Sequence, residues 1–341
     1  MTAGSGIHRY LAEWDGGEWI KYGDWLGAER EKRFFTNPRC VVRQIVSTDG
    51  RYGIYAAYVD ETLFHTQVAF VLLPRDNDKQ KAKNITGILN SSLFTFYHRK
   101  KYLDENKETF QKILIQDCKE FPVPSDLKNS DLASKTDRIS KLKRRRQSLN
   151  LNLLDYLGNY EDGPTLPDVG LFQPSESNVL DATTEEYEKL RVGDVRAERD
   201  GTSVTVSATA RYKPEDEDAH ETDTYGYTET EFVEAFTLVD CSEAEAALVA
   251  AFVPVAVDDE IAGFRENATK TNSLVDRLKA ITLPDPDDVA DDLDRYVETK
   301  KRADELDAKI AETDRLIDEI VYDLYDLTDN EIEIVEEAVA E

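Results

Sequence analysis

Several groups of residues in this chain have types and spacings that chemistry requires. Pro286-Asp287 followed by Glu298-Thr299-Lys300 has the spacing of a metal-dependent restriction nuclease, whose acid and Glu-x-Lys sit on neighbouring strands around Mg²⁺. The residues in and after that interval speak against it. Leu293, Tyr296, Ala303, Leu306 and Ile310 step at helical spacing, and a helix would set Asp287 about 16 Å from Glu298 along its axis. The pattern reads as a coincidence in an acidic helix. His8, His65, His98 and His220 show no metal-ligand spacing with each other or with the cysteines, so no metal site is expected. No glycine-flanked serine follows a strand, and no Cys/His pair has recognisable context. Cys40, Cys118 and Cys241 are scattered and odd in number, as befits small hydrophobes in a reducing cytoplasm.

The remaining candidates are cations. Arg43, Arg51, Arg99, Lys100 and Lys101 lie beside expected strands or at a helix end. Arginine suits guanine edges and phosphate, whereas lysine serves as a point charge for phosphate. Lys79, Lys81 and Lys83 form a similar loop cluster. Lys141, Lys143, Arg144, Arg145 and Arg146 read as a phosphate-contacting strip, a localisation signal or the polar face of a coiled helix. Any one of these cations also fits an ordinary solvated surface.

Charge distribution favours the binding reading. The 341 residues carry a net charge of −28. Residues 1–147 nevertheless hold 26 Lys+Arg against 19 Asp+Glu, while the remainder holds 16 against 51. An acidic surface fits a salt-rich cytoplasm, as in halophiles, and speaks to solubility rather than fold. The positive exception is what suggests a polyanion, since lysine and arginine supply most non-specific affinity for duplex DNA. A hydrophobic content of 40% fits a folded chain. No apolar run is long enough to span a membrane, and no secretory signal opens the chain. A cytoplasmic protein is expected.

The elements that would position the cations are readable from periodicity. Residues 40–46, 54–59 and 64–73 are rich in β-branched and aromatic residues, with a turn at Asp49-Gly50. Residues 82–97 show one helical face, and Phe121-Pro122-Val123-Pro124 ends the first unit. A helix is expected over 131–157, stopped by Gly158, and then a linker over 159–174 marks the domain boundary. Thr183…Glu186 predicts a capped short helix, and Val195 to Arg211 a hairpin turning at Asp200-Gly201. Glu215 to Asp223 reads as an acidic loop. Ser242…Glu245 caps an apolar helix, Asp285-Pro286 starts a long one to about Asp326, and Thr328…Glu331 caps a last one. No tandem repeat of fixed period is visible.

Within residues 6–124 a set of short strings occurs in a familiar order: Gly6-Ile7-His8-Arg9-Tyr10, Trp19-Ile20-Lys21-Tyr22-Gly23 and Asn37 to Ile45. Ala57-Tyr58-Val59-Asp60, Ile88 to Leu93 with Phe96-Tyr97, and Phe121 to Pro124 follow. Together they resemble the TaqI-like C-terminal specificity domain that follows the adenine methyltransferase domain of type IIG restriction enzymes and related phage-defence methylases. Ile317 to Tyr325 and Glu331-Ile332 resemble the end of acidic, archaeal-type members. The resemblance implies sequence-specific reading of double-stranded DNA for restriction–modification. Its catalytic partner would be an adenine methyltransferase or restriction subunit using S-adenosylmethionine, with Mg²⁺ where it cleaves. This chain itself is expected to hold no cofactor. Its nearest string to the family's adenine-holding Asn-Pro-Pro-Tyr motif is Asn37-Pro38-Arg39-Cys40, which lacks the second proline and the stacking aromatic. Gly4-Ser5-Gly6 opens no dinucleotide-binding unit.

The reading is an α+β protein: a mixed-sheet recognition domain over 1–130, a spacer helix over 131–158, a second small α+β unit over 165–283 and a helical segment over 285–341. No catalytic residue is assigned. The DNA-binding candidates are Arg43, Arg51, Arg99, Lys100, Lys101, Lys143, Arg144 and Arg145. Residues 1–147 are expected to bind duplex DNA, and the chain is read as a split subunit, a fragment or a decayed copy. A helical protein–protein adaptor without nucleic acid is the alternative. The 131–157 and 287–326 helices are expected to pair through a narrow coiled-coil stripe, with Ile317 buried and Asp314 exposed.

Overall fold

The structure, a computed structural model, describes every residue except 1, 3, 15, 28, 46–52, 104–110, 125, 126, 128–130, 217, 218 and 341. The chain opens on a short hairpin, β1 (Ile7–His8) and β2 (Leu11–Ala12), turning through Tyr10 at φ 65°. A one-turn helix α1 (Arg33–Thr36) precedes three antiparallel strands, β3 (Arg39–Arg43), β4 (Ala56–Val59) and β5 (Ala69–Leu72), ordered β4-β3-β5. The uninterrupted apolar run Cys40-Val41-Val42 sits in the central strand because both of its faces are covered. Cys40 and Val42 join one hydrophobic cluster with Phe70, Ile88 and Phe94, while Val41 joins another with Ile7, Val59 and Leu63. Of the residues expected in the third strand, 69–72 form it, and His65 makes an isolated bridge with Thr2. The turn expected at Asp49-Gly50 lies outside the described residues.

The helical face expected over 82–97 is divided between α2 (Lys79–Asn90) and α3 (Ser92–Tyr102). Ser91 divides them: its backbone is extended, its hydroxyl donates to the Ile88 carbonyl at 2.7 Å and accepts from the Phe94 N–H at 3.3 Å. A short helix α4 (Ile115–Glu120) leads to α5 (Leu132–Gln147). Gly87 lets α2 lie close on α5, since a Cβ there would come within 2.8 Å of the Thr136 and Leu132 side chains.

Where one helix was expected over 131–157, α5 ends at Gln147 and a separate α6 (Leu153–Leu157) follows. Asn150 accepts from the Asn152 N–H at 3.0 Å and Asn152 accepts from the Leu154 N–H at 3.1 Å. These side chains offer the backbone an alternative to helical bonds, which spacing of leucines does not reveal.

Two compact units result: residues 1–149 with 303–341, and residues 150–302. In the second unit, β6 (Asp162–Thr165) and β7 (Leu171–Pro174) occupy the stretch expected to be a linker. Thr183 to Glu186 forms a turn rather than a helix, its Glu186 carboxylate accepting from the Thr183 N–H. The hairpin β8 (Glu188–Asp200) and β9 (Ser203–Lys213) turns at Gly201 with φ 60°, as its sequence predicts. β10 (Thr228–Glu229) and β11 (Val233–Val239) extend this sheet, with β7 pairing β11. Helix α7 (Glu243–Asp258) is capped reciprocally by Ser242 and Glu245 as expected, α8 (Leu274–Lys279) follows, and β12 (Thr282–Pro284) pairs β6. Phe236, Leu248 and Phe252 form the heart of this core.

The long helix α9 (Pro286–Leu324) starts as predicted, with Asp285 accepting from the Asp287 and Asp288 N–H groups. Its early residues Val289, Leu293 and Tyr296 belong to the core of the second unit. Its late residues Ile317 and Val321 belong to the first, clustered with Cys40, Ile88, Phe94, Leu132 and Ile139. Both helices expected to form a narrow spacer stripe are therefore parts of a broad core beneath the sheet. Helix α10 (Asp329–Ala340) is capped by Glu331 through Thr328. The fold class is mixed α+β, as the sequence predicts. Asp314 departs from expectation: it is 8% exposed, not a surface residue.

Candidate nucleic-acid interface

The first unit carries the cations singled out above, and its framework explains their placement. Arg43 ends the central strand, half-buried, with its guanidinium 5.4 Å from the Tyr55 ring centre. Arg99, Lys100 and Lys101 fill the last turn of α3, where the helix dipole favours positive charge. Burial lowers Arg99 from its usual range. Lys101 donates to the Tyr97 hydroxyl at 2.8 Å and lies about 5 Å from the Tyr97 and Tyr102 rings, which raises its pKa. Arg51 lies outside the described residues.

The basic run of α5 does not present one strip. Its helical phase sends successive side chains in different directions. Lys143 turns inward, 5.7 Å from the Tyr10 ring, and burial pulls its pKa down to about 8, with Arg9 adding to the effect. Arg146 pairs with Asp307 at 2.8 Å and Lys141 with Asp137. Arg144 stands exposed 3.9 Å from Glu61, and Arg145 is exposed with no ion pair among the described residues. Lys79, Lys81 and Lys83 pair with Asp60, Asp76 and Asp137.

The charge split also changes once the chain is folded. Residues 303–341 add 15 acidic and 2 basic residues to the unit that holds the positive segment. Charge alone therefore argues less for a polyanion than the linear sequence suggests.

Beneath these cations lies a buried polar network. Arg9 grips both carboxylate oxygens of Asp314 at 2.8 Å and donates to the Asn90 carbonyl, while the Tyr10 hydroxyl donates to Asp314 at 3.0 Å. One turn along α9, Asp318 accepts from the Ser92 N–H and hydroxyl. Burial raises its carboxyl to about 6. The network ties the first hairpin and the α2–α3 junction to α9.

The candidate cations leave out the segment between β2 and α1, from which only Trp19 to Gly23 enters the family resemblance. All three tryptophans of the chain lie there, and Trp14, Trp19 and Trp25 are 39%, 80% and 62% exposed. Trp14 and Trp19 meet edge to face at 4.5 Å, and the Lys21 ammonium lies 5.0 Å from the Trp25 ring. From the same segment, Tyr22 and Arg30 line a pocket of about 290 Å³ with Phe35, Phe64, His65 and Gln67. His65 donates from Nδ1 to the Thr66 carbonyl, burial lowers its pKa, and its Nε2 has no partner among the described residues. Three exposed tryptophans within a dozen residues are the signal that was available, because tryptophan ordinarily buries most of its surface.

Asn37-Pro38-Arg39-Cys40 has a structural task. Arg39 is fully buried and donates to the carbonyls of Asn37, Glu61 and Leu63. Asp287 and Glu298 lie on one helix, as expected of the coincidental nuclease pattern. No cluster of three or more His, Cys, Asp or Glu able to hold a metal occurs among the described residues. No helix among them is long and apolar enough to cross a membrane.

Residues 1–123 match the family model of the TaqI-like C-terminal specificity domain. The match takes in the first hairpin, the tryptophan segment, the three-stranded sheet and helices α2 to α4. No curated protein matches the chain.

Proposed function

We propose that the first unit binds double-stranded DNA and selects its sequence on behalf of an adenine methyltransferase or restriction subunit. The supporting observation is the match of residues 1–123 to a specificity domain, a region that also holds the exposed tryptophans and most of the candidate cations. In a type IIG-like, phage-defence arrangement the methyl donor S-adenosylmethionine, and Mg²⁺ where cleavage occurs, would belong to that partner. Phosphate contacts would set register and base-edge contacts would set sequence. Arg43, Arg99, Lys100, Lys101, Arg144 and Arg145 remain the proposed contacts, with Arg51 alongside them. Lys143 is better suited to neutralising the Asp314 and Asp307 side than to reaching a phosphate. The tryptophan segment adds flat apolar surface that stacks on bases or packs against sugar.

The test uses the full chain, because a 1–147 fragment would lose Ile317, Val321, Asp314 and Asp318 from its interior. Titration against a panel of labelled duplexes should give binding that weakens as salt rises. Absence of binding at low salt would reject the proposal.

A further inference from the structure

The second unit contains a buried cation without a counter-charge among the described residues. Arg277, on α8, is 5% exposed. Its Nη2 donates to the Thr269 carbonyl at 2.8 Å, its Nε has no partner, and it forms no ion pair among the described residues. Burial alone lowers its pKa. Leaving a guanidinium buried without a counter-charge is costly. It is also unexpected in residues 150–302, which hold 36 acidic residues against 14 basic.

Arg277 lines a pocket of about 530 Å³ together with Lys189, Lys270, Thr184 and Thr269. Lys189 and Lys270 are exposed and form no ion pair among the described residues. Glu185 and Glu188 also line the pocket, exposed like the two lysines and offsetting them, so the buried charge of the site is the arginine. Lys189 sits at the irregularity of β8 between Glu188 and Arg191, its backbone in the left-handed region at φ 59°.

We infer that this pocket is a binding site for a small oxyanion of the phosphate class, with Arg277 as its buried anchor and Lys189 and Lys270 as its outer cations. A buried guanidinium without a counter-charge is matched by a compact oxyanion, and flanking ammonium groups add charge without demanding geometry. The phosphate oxyanion has two sources, a free phosphate or phosphomonoester and the backbone of a nucleic acid. The acidic surroundings repel a polyanion, whose many charges would meet them, more than a compact ion held at the arginine, so the small ligand is the occupant. This site is independent of the DNA-binding reading of the first unit.

The experiment titrates the full chain with inorganic phosphate, read by calorimetry and by thermal shift, against sodium chloride at matched ionic strength. Saturable binding with a melting-temperature rise beyond that in chloride is expected. Arg277→Gln should weaken phosphate binding about tenfold or more. Because that variant removes a buried donor, the exposed pair Lys189→Ser and Lys270→Ser serves as a second test, expected to weaken binding without changing the melt in chloride. A phosphate response no different from chloride, or one retained in both variants, would overturn the inference. A duplex oligonucleotide added to the phosphate-saturated protein should leave phosphate bound. Displacement would overturn the assignment to a small anion.

Discussion

Replacing Asp314 with alanine removes the counter-charge of a buried ion pair. Arg9 and Asp314 have side chains only 10% and 11% exposed, joined by two parallel hydrogen bonds of 2.8 Å. The Tyr10 hydroxyl would lose its acceptor at the same time. Breaking such a pair from one side costs about 3–5 kcal/mol, because the remaining guanidinium stays buried and unpaired. In a unit of this size each kcal/mol moves the melting temperature by about 2–4 °C, so a fall of roughly 6–20 °C is expected. Differential scanning calorimetry of the wild type and Asp314→Ala measures it, with Glu319→Ala on the exposed face of the same helix as control. Among the described residues Glu319 meets only Arg315, at the surface, and its loss should cost under about 1 kcal/mol. Equal melts for Asp314→Ala and the control would refute the buried pairing.

Ile317→Asp should destabilise the first unit by several kcal/mol, roughly 3–5, since the residue is fully buried among Ile88, Phe94 and Ile139; chemical denaturation checks it. Asp318, whose carboxyl burial raises to about 6, binds its proton more tightly folded than unfolded. Its contribution is therefore full below about pH 4 and is lost as pH rises through about 6, a change of up to roughly 3 kcal/mol. Asp318→Asn keeps an acceptor for the Ser92 N–H and should flatten that part of the stability–pH curve; an unchanged curve would reject the assignment. Lys101→Ala and Arg43→Ala should each weaken duplex binding, and a lost phosphate contact lowers the salt slope by about 1, as measured by anisotropy over a salt series.

Local punctuation was the part of this fold most legible in the sequence. The caps at Ser242, Asp285 and Thr328, the hairpin at Gly201 and the apolar strand 40–43 all stand where residue chemistry places them. Long-range partners were not legible. The stripe through Ile317 is the same whether it faces one helix or a sheet with two helices, so spacing alone implied a spacer. Asp314 and Asp318 read as polar-face residues of an acidic helix, because nothing local announces Arg9, some three hundred residues earlier, or Ser92 as partners. Helix breaks at Ser91 and Asn150 depended on side-chain–backbone bonds that compete with an otherwise good helical pattern. For the candidate site, the cations were visible as residue types, but their directions were not. Lys143 and Arg146 are consumed within the fold, while of the three exposed tryptophans only Trp19 belongs to a string of the family resemblance.

A first unit that reads duplex DNA must bind it in a way that depends on both salt and sequence. The direct measurement is the full chain titrated against duplexes of random and defined sequence from low salt towards 1 M. A linear fall of log affinity with log salt is predicted, with one sequence retaining affinity where screening has shortened the reach of phosphate contacts to about 3 Å. No binding at low salt, or binding indifferent to both salt and sequence, would contradict it.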